Sequence, residues 1–591
     1  MTAPLRIGNV SGFYGDRLSA AREMVEGGDI DVLTGDYLAE LTMYILWKSK
    51  TAGRPGYAST FLTQMKEVLG TCVERGIKIV VNAGGLDPKG LADALRDLAA
   101  EKNVSPAIAY LTGDDLIPRM DELRAAGVDF RNIDTGEVHD ESSPTPATAN
   151  AYLGARGIAH ALSGGADIVV CPRVTDASLV VGPAMWKFGW DMEDYDCLAG
   201  AVAAGHVIEC GAQATGGNYA FFEEIENPIR PGFPIAEMHA DGSSVITKHE
   251  GTGGMVSVGT VTAQLVYEVG ERNYLNTDVI LDLGSIELTQ EGPDRVRMSG
   301  VRGQAPPPTV KVTMNCVGTY NQSMTFAIPG DDVEAKAAVA QAGMLEALGG
   351  AEQFDSVDFR LVRSDQLGAA VNELSVAKLV ATFSSYDKDK LGRRIFDAAM
   401  SLALSSYPGI YFQDEKQQRP TQTGLAWPCL VPQELVTERV VMPDGTTVDF
   451  PGSEKKAAEP ALLDADAPRT TESVEGSTQT VSLGKVFGAR SGDKGAHANV
   501  GIWGRSDDEY AWLREHLTVE GLLAIFPEAS GHEILRVELP NLRAVNFLIR
   551  GLLGGGAASG GRFDPQAKGL AEFIRSRKVE LPVALLEEKN R

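Results

Sequence analysis

The chain has 591 residues, 43% of them hydrophobic and 23% charged, and its 80 Asp and Glu against 54 Lys and Arg give a formal net charge of -26. That length exceeds what one core supports, so two or three domains of ordinary globular composition are expected. The acidic balance offers no long basic face to exchange for nucleic-acid counterions, and it repels an anionic membrane surface.

The chain opens on "MTAPLRIGNVSGFYGDR", which runs straight into a strand-like stretch. No charged region is followed by a long apolar one, so no signal peptide is expected, no membrane span follows, and the expected location is the cytoplasm. Strands are expected at 5–12, 29–36, 77–85, 107–115, 128–136 and 166–173, with amphipathic stretches such as "GLADALRDLAAEKN" and "IPRMDELRAAG" between them. In the second of these, Ile117, Met120, Leu123 and Ala126 recur at helical spacing. The strand runs are continuous in Ile and Val rather than alternating, which predicts strands covered on both faces and joined in parallel βαβ units.

Nearly every run ends in small or polar residues: Asn9 to Gly12, Thr34 to Asp36, Asn82 to Gly85, Thr112 to Asp115, and Cys171 through Arg173 to Asp176. Ligands bind at the carboxyl ends of parallel strands, so this edge is the expected site. Each Asp taken alone is equally explained as a helix cap or turn residue.

From about 205 to 330 the pattern becomes strand-rich and antiparallel, with Asp294 and Gly300 near hairpin turns. Helical patterns resume at 331–349 and 387–406. Residues 452–478 lose periodicity and read as a linker. Beyond them, "TVSLGKVFGAR", "ANVGIWGR", "DEYAWLREHL" and "EILRVELPNLRAVNFLIRGLL" suit a small α+β domain.

Several short motifs carry candidate chemistry. "SGFYGDR" lies between a strand and a helix, where Ser11 and Gly12 can meet an anion or simply form a tight turn. It is not G-x-G-x-x-G, and no phosphate-loop motif or G-x-S-x-G elbow occurs. In "GHVIECG" His206 and Glu209 share a helical face, as an acid/base pair or as two ligands of a metal needing further ligands. Cys210 beside them is a nucleophile only if its pKa is depressed. The six cysteines are scattered without C-x-x-C, which argues against a disulfide scaffold or zinc knuckle. "TGGNYAFF" and "GTGGM" offer backbone amides for an oxyanion, or hairpin turns. "ARSGDKGAHANVG" concentrates Arg490, Asp493, Lys494, His497 and Asn499 between two strands, which favours a ligand or interface role.

Taken together, "SGFYGDR", "TGDYLAELTM", "CPRVTDASL", "ECGAQATGGN", "GTGGMVSVGTVTAQLVYE", "VRMSGVRGQAPPPTVKV" and "ARSGDKGAHANVGIW" resemble the acyclic-terpene-utilisation family typified by AtuA. The resemblance covers nearly the whole chain: about 5 to 450 is similar to the family's core region, and 479 to about 585 to its ferredoxin-like C-terminal domain. It implies a place in branched acyl-CoA catabolism, where citronellol-type and geraniol-type acids are degraded as CoA thioesters. Retro-Claisen cleavage of a 3-hydroxy-3-alkylglutaryl-CoA is a step it suggests. It carries no catalytic residue over.

The expected fold is α/β: an N-terminal parallel-sheet βα region at 1–204, a strand-rich insertion at 205–330, α/β again at 331–451, the linker, and the α+β ferredoxin-like domain at 479–591. The expected activity is that of a lyase or hydratase on an acyl-CoA thioester. A metal-dependent hydrolase or lyase, or a non-catalytic subunit of a carboxylase pathway, are the alternatives. Asp36, Asp115, Asp176, His206 and Glu209 are the candidate acid/base residues. Ser11, Gly12, Asn82, Gly216, Gly217, Asn218, Arg490, Asp493 and Lys494 are candidate substrate contacts, and Arg173 would bind a substrate carboxylate unless it pairs with Asp176. No cofactor is expected beyond coenzyme A as part of the substrate, with a divalent metal left open. The partners expected are the small-molecule thioester and further copies of the chain, with no nucleic acid and no membrane.

Overall fold

The computed structural model describes residues 3–413, 419–452, 476–559 and 562–588, so residues 453–475 of the expected linker lie outside them. Contacts divide the chain into two compact units, Met1–Asn315 with Ala426–Arg591, and Cys316–Leu425.

In the larger unit the chain alternates strands β1 (Leu5–Asn9), β2 (Val32–Gly35), β3 (Lys78–Val81), β4 (Ile108–Thr112), β5 (Pro146–Ala151) and β6 (Ile168–Val170) with helices α1 (Ala20–Gly27), α2 (Glu40–Thr51), α3 (Ser59–Arg75), α4 (Pro88–Glu101), α5 (Met120–Ala125) and α6 (Arg156–Ser163). Five of the strands pair in the order β1-β2-β3-β6-β4, all parallel. Their buried Ile and Val pack against α1, α3 and α4 around Met24, Met65, Leu69, Leu91 and Leu95. Antiparallel strands extend both edges, beginning with β7 (Pro234–Met238) and β8 (Ser244–Lys248) beside β1 and with Thr437–Val441 beside β4. Eleven strands form the finished sheet.

Helices α7 (Ser178–Phe188) and α8 (Tyr195–Ile208) follow β6. From Leu198 to Ile208 every residue of α8 is buried, so this helix is apolar all round because it is enclosed all round. Its carboxyl end is therefore fixed deep in the unit, and that is where His206 sits. The chain beyond it passes so close to Gly12 that a Cβ there would lie 2.6 Å from the Cys210 carbonyl carbon. Gly12→Ala is expected to lower stability by about 1–3 kcal/mol through forced backbone separation, read as a lower melting temperature.

Residues 128–136 are not a strand. Asp129 accepts from Arg131 N–H, and Asn132 Oδ1 accepts from Asp134 and Thr135 N–H, so local side-chain bonds replace a ladder. The alternating run after 255 contains a helix, Val258–Leu265, nucleated by a Ser257–Thr260 capping box. Strand β5, with small residues and no β-branched run, gave no signal. The hairpin expected at Asp294 is present, between strands Glu287–Gly292 and Arg295–Ser299.

The C-terminal segment forms a four-stranded antiparallel sheet with strands Gly488–Lys494, His497–Trp503, Ala544–Ile549 and Ile534–Leu539 in that order. Helices Asp507–His516 and Leu570–Ser576 contribute Trp512, Leu513 and Ile574 to its own core. The smaller unit, 316–425, packs helices Val333–Leu348 and Arg393–Ser401 on an antiparallel sheet around Phe326, Phe383 and Met344. All six cysteines are free thiols. Among the described residues, no helix is long and apolar enough to cross a membrane.

Candidate functional site

The five parallel strands end on one edge, and the sequence places a polar residue at or just beyond each end: Asn9, Asp36, Asn82, Asp114 and Arg173. All five are buried. Asn82 Nδ2 donates to Asp36 Oδ1 at 2.6 Å, and Asn82 Oδ1 accepts from Tyr37 N–H at 2.8 Å, so neighbouring strand ends are tied together. Arg173 Nη1 donates to Asp176 Oδ1 at 2.6 Å, and the guanidinium carbon Cζ lies 4.1 Å from the centre of the Tyr152 ring. The pairing of a buried Arg173 with a half-buried Asp176 is thus present in the fold. Arg173 Nε, however, has no hydrogen-bond partner among the described residues.

The end of α8 supplies the other half of the site. Asn9 Nδ2 donates to the carbonyls of Ile208 at 2.6 Å, Glu209 at 3.0 Å and Ser11 at 3.0 Å, which seats Glu209 against the strand edge. Carboxylate oxygens of Asp36, Asp176 and Glu209 then lie within 4.8 Å of one another. Burial, with repulsion from Asp176, lifts Asp36 well above the usual carboxylate range against the pull of Arg173. Burial also pushes Glu209 up to about 7, with His206 opposing and Asp176 reinforcing. Asn9→Ala would strand the Ile208 and Glu209 carbonyls, while that of Ser11 keeps the Asp36 N–H at 3.0 Å, so a loss of about 1–3 kcal/mol is expected, measured by calorimetric unfolding.

His206 is 2% exposed, and its Nδ1 lies 3.1 Å from Glu209 Oε1. Its Nε2 and Glu209 Oε2 are buried without a hydrogen-bond partner among the described residues. Native interiors leave few such atoms, so two on adjoining side chains make this a candidate ligand site. The His206 ring lies 5.1 Å from the Tyr274 ring, and Lys494 of the C-terminal domain is 5.4 Å from Tyr274 on its ring face. Burial pushes the Lys494 amine down and Lys311 adds to the effect, while Glu268, Glu40 and Glu209 oppose it. Lys311 itself is held by Glu40 at 2.9 Å.

Other expected residues are placed elsewhere or spent. Asp115 is exposed and caps the Ile117 amide at 3.0 Å; its buried neighbour Asp114 instead accepts from Asn150 and from Arg173 N–H. Burial carries Asp114 up to about 7. The "SGFYGDR" loop closes on itself, with Gly12 N–H donating to Asp16 and Ser11 Oγ to the Phe13 carbonyl. Gly216 and Gly217 N–H bond back to Gln213 and Ala212, so neither amide is free for an oxyanion. Burial raises the Cys210 thiol well above its usual value, the wrong direction for a nucleophile. Arg490 bonds the Asn218 carbonyl at 3.4 Å and stacks 4.7 Å from Tyr267, while Asp493 meets Lys568 at 3.4 Å. Lys568 also reaches Glu268 at 2.9 Å, so these residues bind the C-terminal domain to the core.

Asn9, Asp114, Tyr274, Glu268 and Lys311 were not singled out from sequence. Asn9 and Asp114 belong to the same set of polar strand ends. Glu268 and Lys311 lie inside the family-like stretches "GTGGMVSVGTVTAQLVYE" and "VRMSGVRGQAPPPTVKV", and Tyr274 sits on the short strand Asn273–Leu275, but no chemical motif marks any of the three for this site.

A family model described as acyclic terpene utilisation family protein AtuA matches residues 5–442, and a second, the AtuA ferredoxin-like domain, matches residues 481–580. No curated protein and no solved structure matches the chain.

Proposed function

The chain belongs to the acyclic terpene utilisation family AtuA, and from that premise we propose that the cleft at the sheet edge cleaves or hydrates a branched acyl-CoA thioester of the 3-hydroxy-3-alkylglutaryl or enoyl type. The observation that carries this reading is the buried, unpartnered Nε2 of His206, with Nδ1 held by Glu209. A carboxylate-oriented imidazole with one open nitrogen is the arrangement proton transfer to a substrate requires.

In the cleavage direction a base removes the proton of the tertiary hydroxyl. The bond between C2 and C3 breaks, its electron pair passes into the thioester as an enolate, and a 3-oxo acid leaves. A proton then returns to the enolate carbon. His206 with Glu209 serves as the proton carrier, and Lys494 and Arg173 offer cationic donors to the enolate oxygen and the free carboxylate. Hydration uses the same groups to deliver water across an enoyl double bond.

The test is thermal unfolding and product analysis with 3-hydroxy-3-methylglutaryl-CoA, a branched enoyl-CoA and the corresponding free acids. A thioester at about a hundredfold its dissociation constant should add roughly 2.7 kcal/mol of stability. If no thioester either raises the melting temperature or is consumed, the reading is wrong.

A second reading, metal-dependent cleavage, is favoured by the three convergent carboxylates together with the orphaned Glu209 Oε2. An all-oxygen set suits a hard ion such as Mg²⁺, Mn²⁺ or Ca²⁺. Manganese should then raise the melting temperature of the native chain and leave Asp176→Asn unmoved; equal responses would eliminate this reading.

A further inference from the structure

One hairpin of the C-terminal domain, formed by Gly488–Lys494 and His497–Trp503, approaches the His206 site, and Lys494 and His497 are its last paired residues. At its tip Gly495 adopts φ +62° and lies so close to the loop of the core domain that a Cβ would sit 2.7 Å from Asp134 Oδ2. The same carboxylate takes the Ala496 N–H at 3.0 Å and faces His497 Nε2 at 3.1 Å. Gly551 N–H donates to His497 Nδ1 at 2.9 Å, which makes Nδ1 the acceptor and leaves the ring proton on Nε2, aimed at Asp134. Asp134 is held in turn by Asn132, and its neighbour Ile133 by the Pro428 carbonyl. Burial works against a charge on Asp134, yet the His497 and Ala496 donors keep its carboxyl below the usual range.

We propose that Asp134 and His497 are positioning residues that pin this hairpin tip so that Lys494, which has no carboxylate partner among the described residues, is presented to Tyr274 and His206 as the cation of the cleft. Pairing in the ladder transmits the pin directly, because fixing His497 fixes the residue opposite it. The groups facing Lys494 come from several elements: Lys311, Glu268, Glu40, Glu209 and Tyr274. A core loop thus sets where a lysine of another domain stands, and an anionic substrate group would be met by a charge not already neutralised. The inference rests on the cleft being the working site, but its test reads the lysine itself.

The full-length chain is acylated briefly with acetic anhydride across a range of pH, and the peptide carrying Lys494 is quantified by mass spectrometry. In the native chain the labelling midpoint of Lys494 should lie below that of surface lysines, since only the neutral amine reacts. Asp134→Ala removes both contacts. Asp134→Asn sets an amide donor against the His497 N–H at constant volume and decides the matter if the alanine variant does not fold. In either variant the Lys494 midpoint should rise to the surface-lysine value. Asp121→Asn, which alters an exposed carboxylate on α5 that meets Arg124 at 3.3 Å, should leave it in place. A folded Asp134→Asn protein with an unmoved midpoint overturns the proposal, as does a Lys494 that labels like a surface lysine in the native chain. Neither result depends on thioester turnover.

Discussion

His206→Gln is expected to lower turnover of 3-hydroxy-3-methylglutaryl-CoA by on the order of 10²- to 10⁴-fold while leaving the melting temperature close to that of the native chain. The two effects separate because the side chain has two different neighbours. On one side Glu209 lies 3.1 Å from Nδ1, and a glutamine amide of similar length can still donate there, so no carboxylate is stranded. On the other side Nε2 has no hydrogen-bond partner among the described residues, so its removal breaks no bond of the fold described. What disappears is the titratable nitrogen to which the proposed proton transfer is assigned. Glu209→Gln should act through the same route, with a smaller effect on binding than on the rate. Equal losses of turnover and stability in His206→Gln would show a histidine that only packs, and would return the site to the carboxylates.

Glu438→Gln is expected to remove one clear share of a pH-dependent loss of stability, that of the carboxyl raised to about 8. Glu438 is 7% exposed on the strand Thr437–Val441 and accepts the Gly157 N–H at 2.9 Å, while Asp278 accepts the nearby Ala155 N–H. Both carboxyls serve the start of α6. Burial, reinforced by Asp278, pushes Glu438 up to about 8, and burial pushes Asp278 up to about 6. A carboxyl whose proton is held more tightly in the folded state stabilises the fold fully at pH below the ordinary glutamate range. That contribution is lost as pH rises through about 8. For a group this enclosed the loss is on the order of 3–5 kcal/mol between acid and alkaline conditions. Glutamine keeps the acceptor for Gly157 and carries no charge at any pH. Its melting temperature should therefore match the native one near pH 4, begin to exceed it by pH 6, and exceed it most near pH 9. An identical difference at all three pH values would mean that Glu438 is already ionised in the fold.

Much of this architecture is written in local pattern. Continuous Ile and Val runs such as "IKIVV" and "ADIVV" can be covered on both faces only in a parallel sheet with helices between, and β3 and β6 pair accordingly. Where pattern failed, a short-range bond outweighed it. Residues 128–136 have the composition of a strand, but Asp129 and Asn132 bond their own backbone and turn the segment into the loop that grips the hairpin at 495–497. Strand β5 is the converse case, ordered by its tertiary pairing rather than by propensity.

The sequence by itself determined that Asp36, Asn82 and Arg173 stand at one edge, because residues at the carboxyl ends of parallel strands must converge there. It also placed His206 and Glu209 on one face of a helix. Only the tertiary structure decided that these two groups meet, since a helix buried on every side is located by its packing and carries no mark of which neighbour its end will face. The structure alone also separated Asp114 from Asp115: adjacent residues of one type differ only in which points inward, and that follows from the bond to Asn150 on β5. Lys494, Tyr274 and Glu268 belong to the same cleft for a reason of the same kind. Long-range contacts cost chain entropy and are fixed by the sum of many buried surfaces, so no local spacing encodes them.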